Sequence, residues 1–431
     1  MSAPLPNAEQ KGLPIRRLAC GVRVVCDPMP GLQTVALSVV AGRGARCEDP
    51  ARSGWSHLLE HMVFKGAGAR SARDIVEAIE AEGGQINAAT GYERTSFQVR
   101  ALAHGLPLGI EVLADLVRRP LIDADDLRRE KQVVGQEIAE AADTPDDLVF
   151  ELAQEAAFGG HPLGRPILGT PASIGEATPK SLGDWRATLY APQSLVVSAA
   201  GAVTEDEVLA LAERAFGDMA AGPAVTNPEL PAFAGGMRPV KKALEQANIV
   251  LLLPAVGAAD PDYFALRLLA EILGGGMASR LFQEAREKRG LAYAIDAYAE
   301  TYSDTGALGV FAGCAAKDAA ELSRVAAGEI AGMITPVDEA ELARAKAQLK
   351  GAMFMSRESA LARAEQAAAQ VLLFDRTLDP EEIAIGIDAV TPADLARLTG
   401  RILESRRTAV AVLGPKGALV AADAFQRALF G

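Results

Sequence analysis

The sequence predicts an α+β protein made of two homologous halves, each a mostly antiparallel sheet with helices packed on it. Three observations lead there: segments recur at one fixed offset, strands come as hairpins among runs of helices, and a stretch rich in proline and glycine lies between the copies. Thr178-Pro179 opens a helix followed by an apolar strand and Gly201, and Thr391-Pro392 opens another, followed by the strand Thr408 to Leu413 and Gly414. Gln33 leads through an apolar strand to Gly44 as Gln246 leads through Ile249 to Gly257, and all these pairs are 213 residues apart. A shared offset near half of 431 residues argues for duplication. The boundary is expected in the linker 220–236, leaving a first half of 1–219 and a second of 237–431.

In the first half, Thr34 to Ala41 reads as a strand and Gly54 to Lys65 as a helix. Ser71 to Glu82 forms a second helix, opened by a Ser71/Asp74 capping box and ended by Gly83-Gly84. Gln85 to Thr90 and Thr95 to Leu102 are separated by Gly91-Tyr-Glu-Arg, which makes them a hairpin. Three helices follow near 105–118, 124–141 and 146–158, the last with Thr144 as N-cap and Pro145 at its first position. Hairpins with runs of helices point to α+β rather than to a parallel sheet.

Composition removes several function classes. With 43 Lys+Arg against 56 Asp+Glu the net charge is −13, so no general excess of positive charge faces nucleic acid or anionic lipid. The longest apolar runs, Thr34 to Ala41 and Ile249 to Ala259, are far shorter than the roughly 20 residues of a membrane-spanning helix. Met1 to Arg17 lacks the apolar core of a secretory signal, so a cytoplasmic location is expected. Cys20, Cys26, Cys47 and Cys314 form no C-x-x-C pair and are expected to be reduced and buried.

Two of the four histidines, His57 and His61, lie four residues apart with Glu60 between them, in the pattern H-x-x-E-H. On a helix these positions share one face, so both imidazoles can hold one ion with Glu60 beside it. A catalytic zinc takes three protein ligands, so a further His, Asp or Glu is required. Glu130 and Glu137 are candidates: they stand seven residues apart on a helix whose other face carries Val133, Val134 and Ile138. A solvated charged face is the ordinary explanation for such glutamates.

The pattern Gly54-x-x-His-Leu-Leu-Glu-His-Met-x-Phe-Lys-Gly66, followed by Gly83-Gly-x-x-Asn87-Ala-x-Thr90 and Glu130-x₆-Glu137, resembles the pitrilysin family of zinc peptidases. The short two-half form, similar to the mitochondrial processing peptidase β-subunit and its bacterial relatives, fits best. Further matches are His161-Pro-x-Gly-Arg-Pro-x-x-Gly169-Thr and Ser279-Arg-Leu-Phe-x-x-x-Arg286-Glu-Lys-x-Gly-Leu-x-Tyr293. The resemblance implies that His57, His61 and Glu137 hold one Zn²⁺ per chain, that Glu60 is the general base, and that Glu130 supports the site. It implies substrate contacts from Gly84, Asn87 and Ala88 on an edge strand, and from Arg286 and Tyr293 in the second half. Without it, Arg286 would read as a partner of Glu287 or Glu284, and Tyr293 as a half-buried strand residue. Adding 213 to His57, Glu60, His61 and Glu137 gives Ala270, Leu273, Gly274 and Lys350, so the second copy lacks every ligand and the base.

The resemblance therefore implies a zinc metalloendopeptidase acting on internal bonds of extended peptides or unfolded segments, with the halves forming a bowl. The acidic balance favours basic peptides. A homodimer is expected, because one chain carries both the metal motif and the Arg/Tyr pair. The alternatives are a heterodimer with a related subunit, as in the processing peptidase, and a non-catalytic scaffold. Leu163 replaces an aromatic residue of relatives, and Trp55 and Ser56 replace smaller ones.

Overall fold

A computed structural model describes residues 12–223 and 229–431. The first eleven residues, and 224–228 of the expected linker, lie outside the described residues.

Two compact units emerge. The described residues of the first fall within Met1–Val134, Ile167–Asn227 and Met353–Ala384, and those of the second within Gly135–Pro166, Pro228–Ala352 and Ile385–Gly431. These units differ from a cut at the linker in one respect: each includes a helical segment from the other half of the sequence. Subtracting 213 from Met353–Ala384 gives 140–171, which overlaps 135–166, so the two copies exchange equivalent segments. Hydrophobic periodicity marks which face of such a helix is buried but not which sheet it covers.

The first unit is built on a six-stranded sheet in the order Ile15–Arg17, Arg23–Pro28, Leu195–Gly201, Thr34–Ala41, Thr95–Leu102 and Gln85–Thr90. Every neighbouring pair is antiparallel except Arg23–Pro28 with Leu195–Gly201. The second unit has the order Ala292–Thr301, Gly306–Ala315, Gln246–Ala255, Ala409–Gly414 and Gly236–Lys241, again with one parallel pair, the last. Shifted by 213, five strands of the first sheet fall on or beside the five of the second, in the same order.

A helix packs on each face of the first sheet. Leu106–Arg118 packs on the face of Leu37 and Val99, so closely that a Cβ on Gly109 would lie 2.7 Å from Leu37 Cδ1. The exchanged helix Ala360–Phe374 packs on the other face, where Ala364, Ala367, Ala368 and Val371 form its buried stripe at i, i+3, i+4 and i+7. Ala367, Ala368 and Val371 join Val25, Val40 and Val196 in one apolar cluster. Arg363 pins this helix by donating twice to Asp27, at 2.5 and 2.6 Å.

The expected helices and hairpin are present, and the Ser71/Asp74 capping box is formed. Thr144 precedes Pro145–Phe158 as expected, but its hydroxyl donates back to the Glu140 carbonyl at 2.9 Å instead of capping the helix. The preceding helix, Ala124–Asp143, runs almost directly into it, which keeps that carbonyl within reach. The expectation of four buried cysteines is corrected: all are free, but Cys20 and Cys47 are half-buried and only Cys26 and Cys314 are buried. Burial pushes the Cys26 thiol up to about 12 and that of Cys314 to about 11.

Candidate metal centre

The helix Trp55–Val63 carries the H-x-x-E-H pattern and is fixed at its start by crowding and charge. Gly54 has φ +85°, and a Cβ there would sit 2.4 Å from the Leu168 carbonyl oxygen and 2.7 Å from Gly169 Cα. The buried Glu48 carboxylate accepts from the Gly54 N–H at 2.8 Å and the Ser56 N–H at 2.7 Å, placing negative charge at the helix N-terminus where the dipole favours it. Leu58, Leu59, Met62 and Val63 are fully buried and hold the opposite face of the helix in the core. His57 and His61 are half-buried on the remaining face, with ring centroids 4.7 Å apart.

Glu137 comes from the helix Ala124–Asp143, a single continuous element within which the two compact units divide. One ligand atom each from His57, His61 and Glu137 lie within 4.8 Å of one another. The sequence expectation that Val133 and Val134 share an apolar face opposite the glutamates needs correction. The buried residues are Leu127, Glu130 and Val134, while Val133 is 39% exposed. Leu127, Glu130, Val134 and Glu137 follow i, i+3, i+7 and i+10, so both carboxylates replace apolar residues on the inward stripe. That substitution within an apolar period was the signal available in the sequence.

Each neighbour of the three ligand candidates has a defined contact. Glu130 is 6% exposed, with Oε2 3.1 Å from His61 Nδ1 and Oε1 2.8 Å from Lys65 Nζ. The Thr90 hydroxyl donates to Glu60 Oε2 at 2.5 Å. Burial, with a smaller contribution from His61, pushes the His57 imidazole down to about 4. It is therefore neutral near pH 7 and keeps a lone pair for a metal.

Thr90 ends the strand Gln85–Thr90, which among the described residues is an edge of the sheet paired through Thr95–Leu102. Asn87 is exposed on it, and Ala88 is half-buried opposite Phe97. Gly84 precedes the strand and is required by packing, since its Cβ would meet the Arg100 and Ile79 carbonyl oxygens at 2.8 Å. Arg286 and Tyr293 lie in the second unit, on the π-helical turn Phe282–Lys288 and the strand Ala292–Thr301. There the Arg286 guanidinium stands 4.6 Å from the Phe282 ring centre and 5.9 Å from that of Tyr293, and Tyr293 is 76% exposed rather than half-buried.

Three positions that sequence reasoning gave no role thus touch the site: Glu48 the start of the helix, Thr90 the Glu60 carboxylate and Lys65 the Glu130 carboxylate. Lys65 left a local signal, standing four residues after His61, in the turn that follows the helix. Leu163 and Trp55 are buried, with Trp55 Nε1 donating to the Ser173 carbonyl at 2.9 Å, so both fill packed space. His104 pairs with Glu82 at 3.0 Å, and His161 lies 2.9 Å from the Glu229 carbonyl.

Residues 23–171 match the family described as insulinase, peptidase family M16. Residues 176–349 match the M16 inactive domain. An uncharacterized zinc protease of Bacillus subtilis is 35% identical over 408 residues, covering 94% of this chain and 99% of that protein. The chain belongs to peptidase family M16, in its short form. An uncharacterized zinc protease of Rickettsia felis, 34% identical over 403 residues, agrees, covering 93% of this chain and 97% of its own. The M16 fold is shared with a protease from Helicobacter pylori (TM-score 0.86, 21% identity, 94% of this chain and 100% of that one). It is also shared with a chain of Complex III2 from Candida albicans (TM-score 0.85, 20% identity, 97% and 100%). The second M16 half carries no counterpart of the ligands. Ala270, Leu273 and Gly274 are buried in the helix Tyr263–Gly274, and Lys350 donates to Asp388 at 2.7 and 2.8 Å.

Proposed function

We propose that this M16 peptidase is a zinc metalloendopeptidase that hydrolyses internal bonds of extended peptides or unfolded segments. The observation that supports it is the approach of His57, His61 and Glu137 ligand atoms to within 4.8 Å, with Glu60 between the histidines on one helical face. Two imidazoles and a carboxylate are a donor set that suits zinc, and His57, His61 and Glu137 would hold it. Bound there, zinc would supply Lewis acidity, polarising a peptide carbonyl and acidifying water.

The remaining steps belong to the chain. Glu60 accepts a proton from the attacking water and returns it to the leaving amine nitrogen. Thr90 orients that carboxylate through its hydrogen bond. Glu130 orients His61: a proton on Nδ1 is donated to the carboxylate, which leaves Nε2 as the ligand atom. The peptide adds as a strand to the open edge of Gln85–Thr90, where backbone groups of Gly84, Asn87 and Ala88 bind it with little regard to sequence. Arg286 and Tyr293 act as hydrogen-bond donors to the peptide and to the developing oxyanion. One zinc per chain, a homodimer and a cytoplasmic setting complete the proposal, and no helix among the described residues is long and apolar enough to cross a membrane.

The second reading, a subunit that needs a related partner or serves as a scaffold, is suggested by the M16 inactive-domain match and by the shared fold with a Complex III2 chain. A scaffold has no need of both histidines, Glu60 and Glu137. The test is turnover of a quenched fluorescent peptide library by wild type and Glu60→Gln, with metal content of both. Turnover by wild type, with Glu60→Gln inert but retaining about one metal per chain, supports the peptidase. Metal without turnover favours a missing partner, and absence of metal sinks the site.

A further inference from the structure

The uncovered part of the first sheet holds a cavity that the proposed reaction has not yet used. Val40, Ser96 and Ala89 form one cross-strand row, and Ser38, Gln98 and Asn87 form the next, all on the face covered by Ala360–Phe374. That helix anchors over Arg23–Pro28, Leu195–Gly201 and Thr34–Ala41, so the outermost hairpin extends past it. The overhang leaves a cavity of about 460 Å³, bounded by Val40, Ala89, Thr90 and Ser96 from the sheet and by Glu365, Gln366 and Ala369 from the helix. Thr90 lines the cavity from the end of the strand, while its hydroxyl, by the alternation of the strand on the opposite face from Ala89, reaches Glu60.

Its chemistry is specific. Val40, Ala89 and Ala369 give apolar walls, whereas Glu365 places a half-buried carboxylate among them. Among the described residues its hydrogen-bond donor is Gln98, a neutral amide. The exposed Arg94 also lines the cavity and acts on Glu365 only through its field, and burial raises the Glu365 carboxyl above its usual range in spite of it. An acid held by a neutral donor beside apolar walls suits a ligand with an aliphatic stem and a cationic head.

We propose that this cavity is a substrate side-chain subsite and that Glu365 makes it select lysine or arginine. A peptide added to the edge of Gln85–Thr90 sends alternate side chains to the face that carries Asn87 and Ala89, which is the face of the cavity. The inference rests on the peptidase reading for its substrate but on Glu365 for its selectivity.

The test uses fluorescein-labelled heptapeptides of leucine and alanine in which one arginine, lysine, glutamine or glutamate is moved along the chain. Affinity is measured on the zinc-loaded Glu60→Gln protein, and cleavage on wild type. At one position arginine or lysine binds about tenfold tighter than glutamine, and adding Glu365→Gln abolishes the difference without weakening the glutamine peptide. Adding Glu365→Lys instead transfers the preference to glutamate at that position, which a mere folding defect does not produce. A cation preference that survives Glu365→Gln, its absence at every position, or no peptide binding overturns the proposal. If the preference appears and depends on Glu365 while wild type cleaves nothing, the subsite stands and only the peptidase reading falls.

Discussion

The His61 Nδ1 atom lies 3.1 Å from Glu130 Oε2, and the other Glu130 oxygen holds the Lys65 ammonium at 2.8 Å. The carboxylate of Glu130, a residue only 6% exposed, is therefore shared between a ligand candidate at the end of the helix and a cation in the turn that follows it. Lys65 fixes the carboxylate, and the carboxylate fixes the imidazole. The arrangement explains why Glu130 can be buried on a stripe otherwise occupied by Leu127 and Val134 without an uncompensated charge.

Glu130→Gln should keep the fold and weaken metal binding, because the amide can still meet His61 but no longer carries the charge that balances Lys65. Loss of such an outer contact costs about 10–100-fold in metal affinity. Competition with a chromophoric chelator measures it, and Glu137→Gln, which removes a ligand, should lose more. Equal affinity in Glu130→Gln and wild type would show that the contact does not tune His61.

Asp262 supplies the acid-sensitive prediction. It accepts from Arg397 at 2.6 and 2.8 Å, and these hydrogen bonds, outweighing burial, hold its carboxyl below the ordinary 3.8. The folded chain thus binds this proton more weakly than the unfolded chain does. The stabilisation is complete above about pH 4 and is lost as pH falls through the folded value. Because Arg397 is 54% exposed, solvent screening limits the pair to about 0.5–1 kcal/mol. Asp262→Asn should lose that amount at pH 6 and show a shallower fall in stability from pH 5 to 3, read by urea unfolding. An unchanged acid slope would remove Asp262 from the account.

Much of the fold was legible because duplication is written in spacing. The 213-residue offset placed Thr178 and Thr391, Gly201 and Gly414 in register, and the two sheets repeat one strand order. The exchange of helical segments was not legible, since Ala364, Ala367, Ala368 and Val371 announce a buried stripe but not its destination. At the site, the H-x-x-E-H pattern is local and was readable. Glu130 and Glu137 were candidates whose spacing equally fitted a solvated charged face, because the burial of an acid such as Glu130 depends on partners, His61 and Lys65, that lie 69 and 65 residues before it. Glu48 and Thr90 were missed for the same reason, as each acts across a turn or a strand rather than along a helix.

Two glycines with left-handed backbone separate conformational strain from close packing. Gly31 has φ +92° and nothing within 4 Å of the point where a Cβ would stand, whereas Gly54 has φ +85° and a Cβ there would lie 2.4 Å from the Leu168 carbonyl oxygen. Gly31→Ala should therefore cost only the backbone preference, about 1–2 kcal/mol. Gly54→Ala adds a clash with backbone that cannot swing aside, and should cost at least about 2 kcal/mol more. Because Gly54 begins the helix that carries His57, the clash displaces that imidazole as well. Gly54→Ala should lose metal affinity in the chelator assay, while Gly31→Ala keeps it. Equal losses of melting temperature in the two variants, with metal affinity intact in both, would show that the contact between Gly54 and Leu168 does not set the start of the helix.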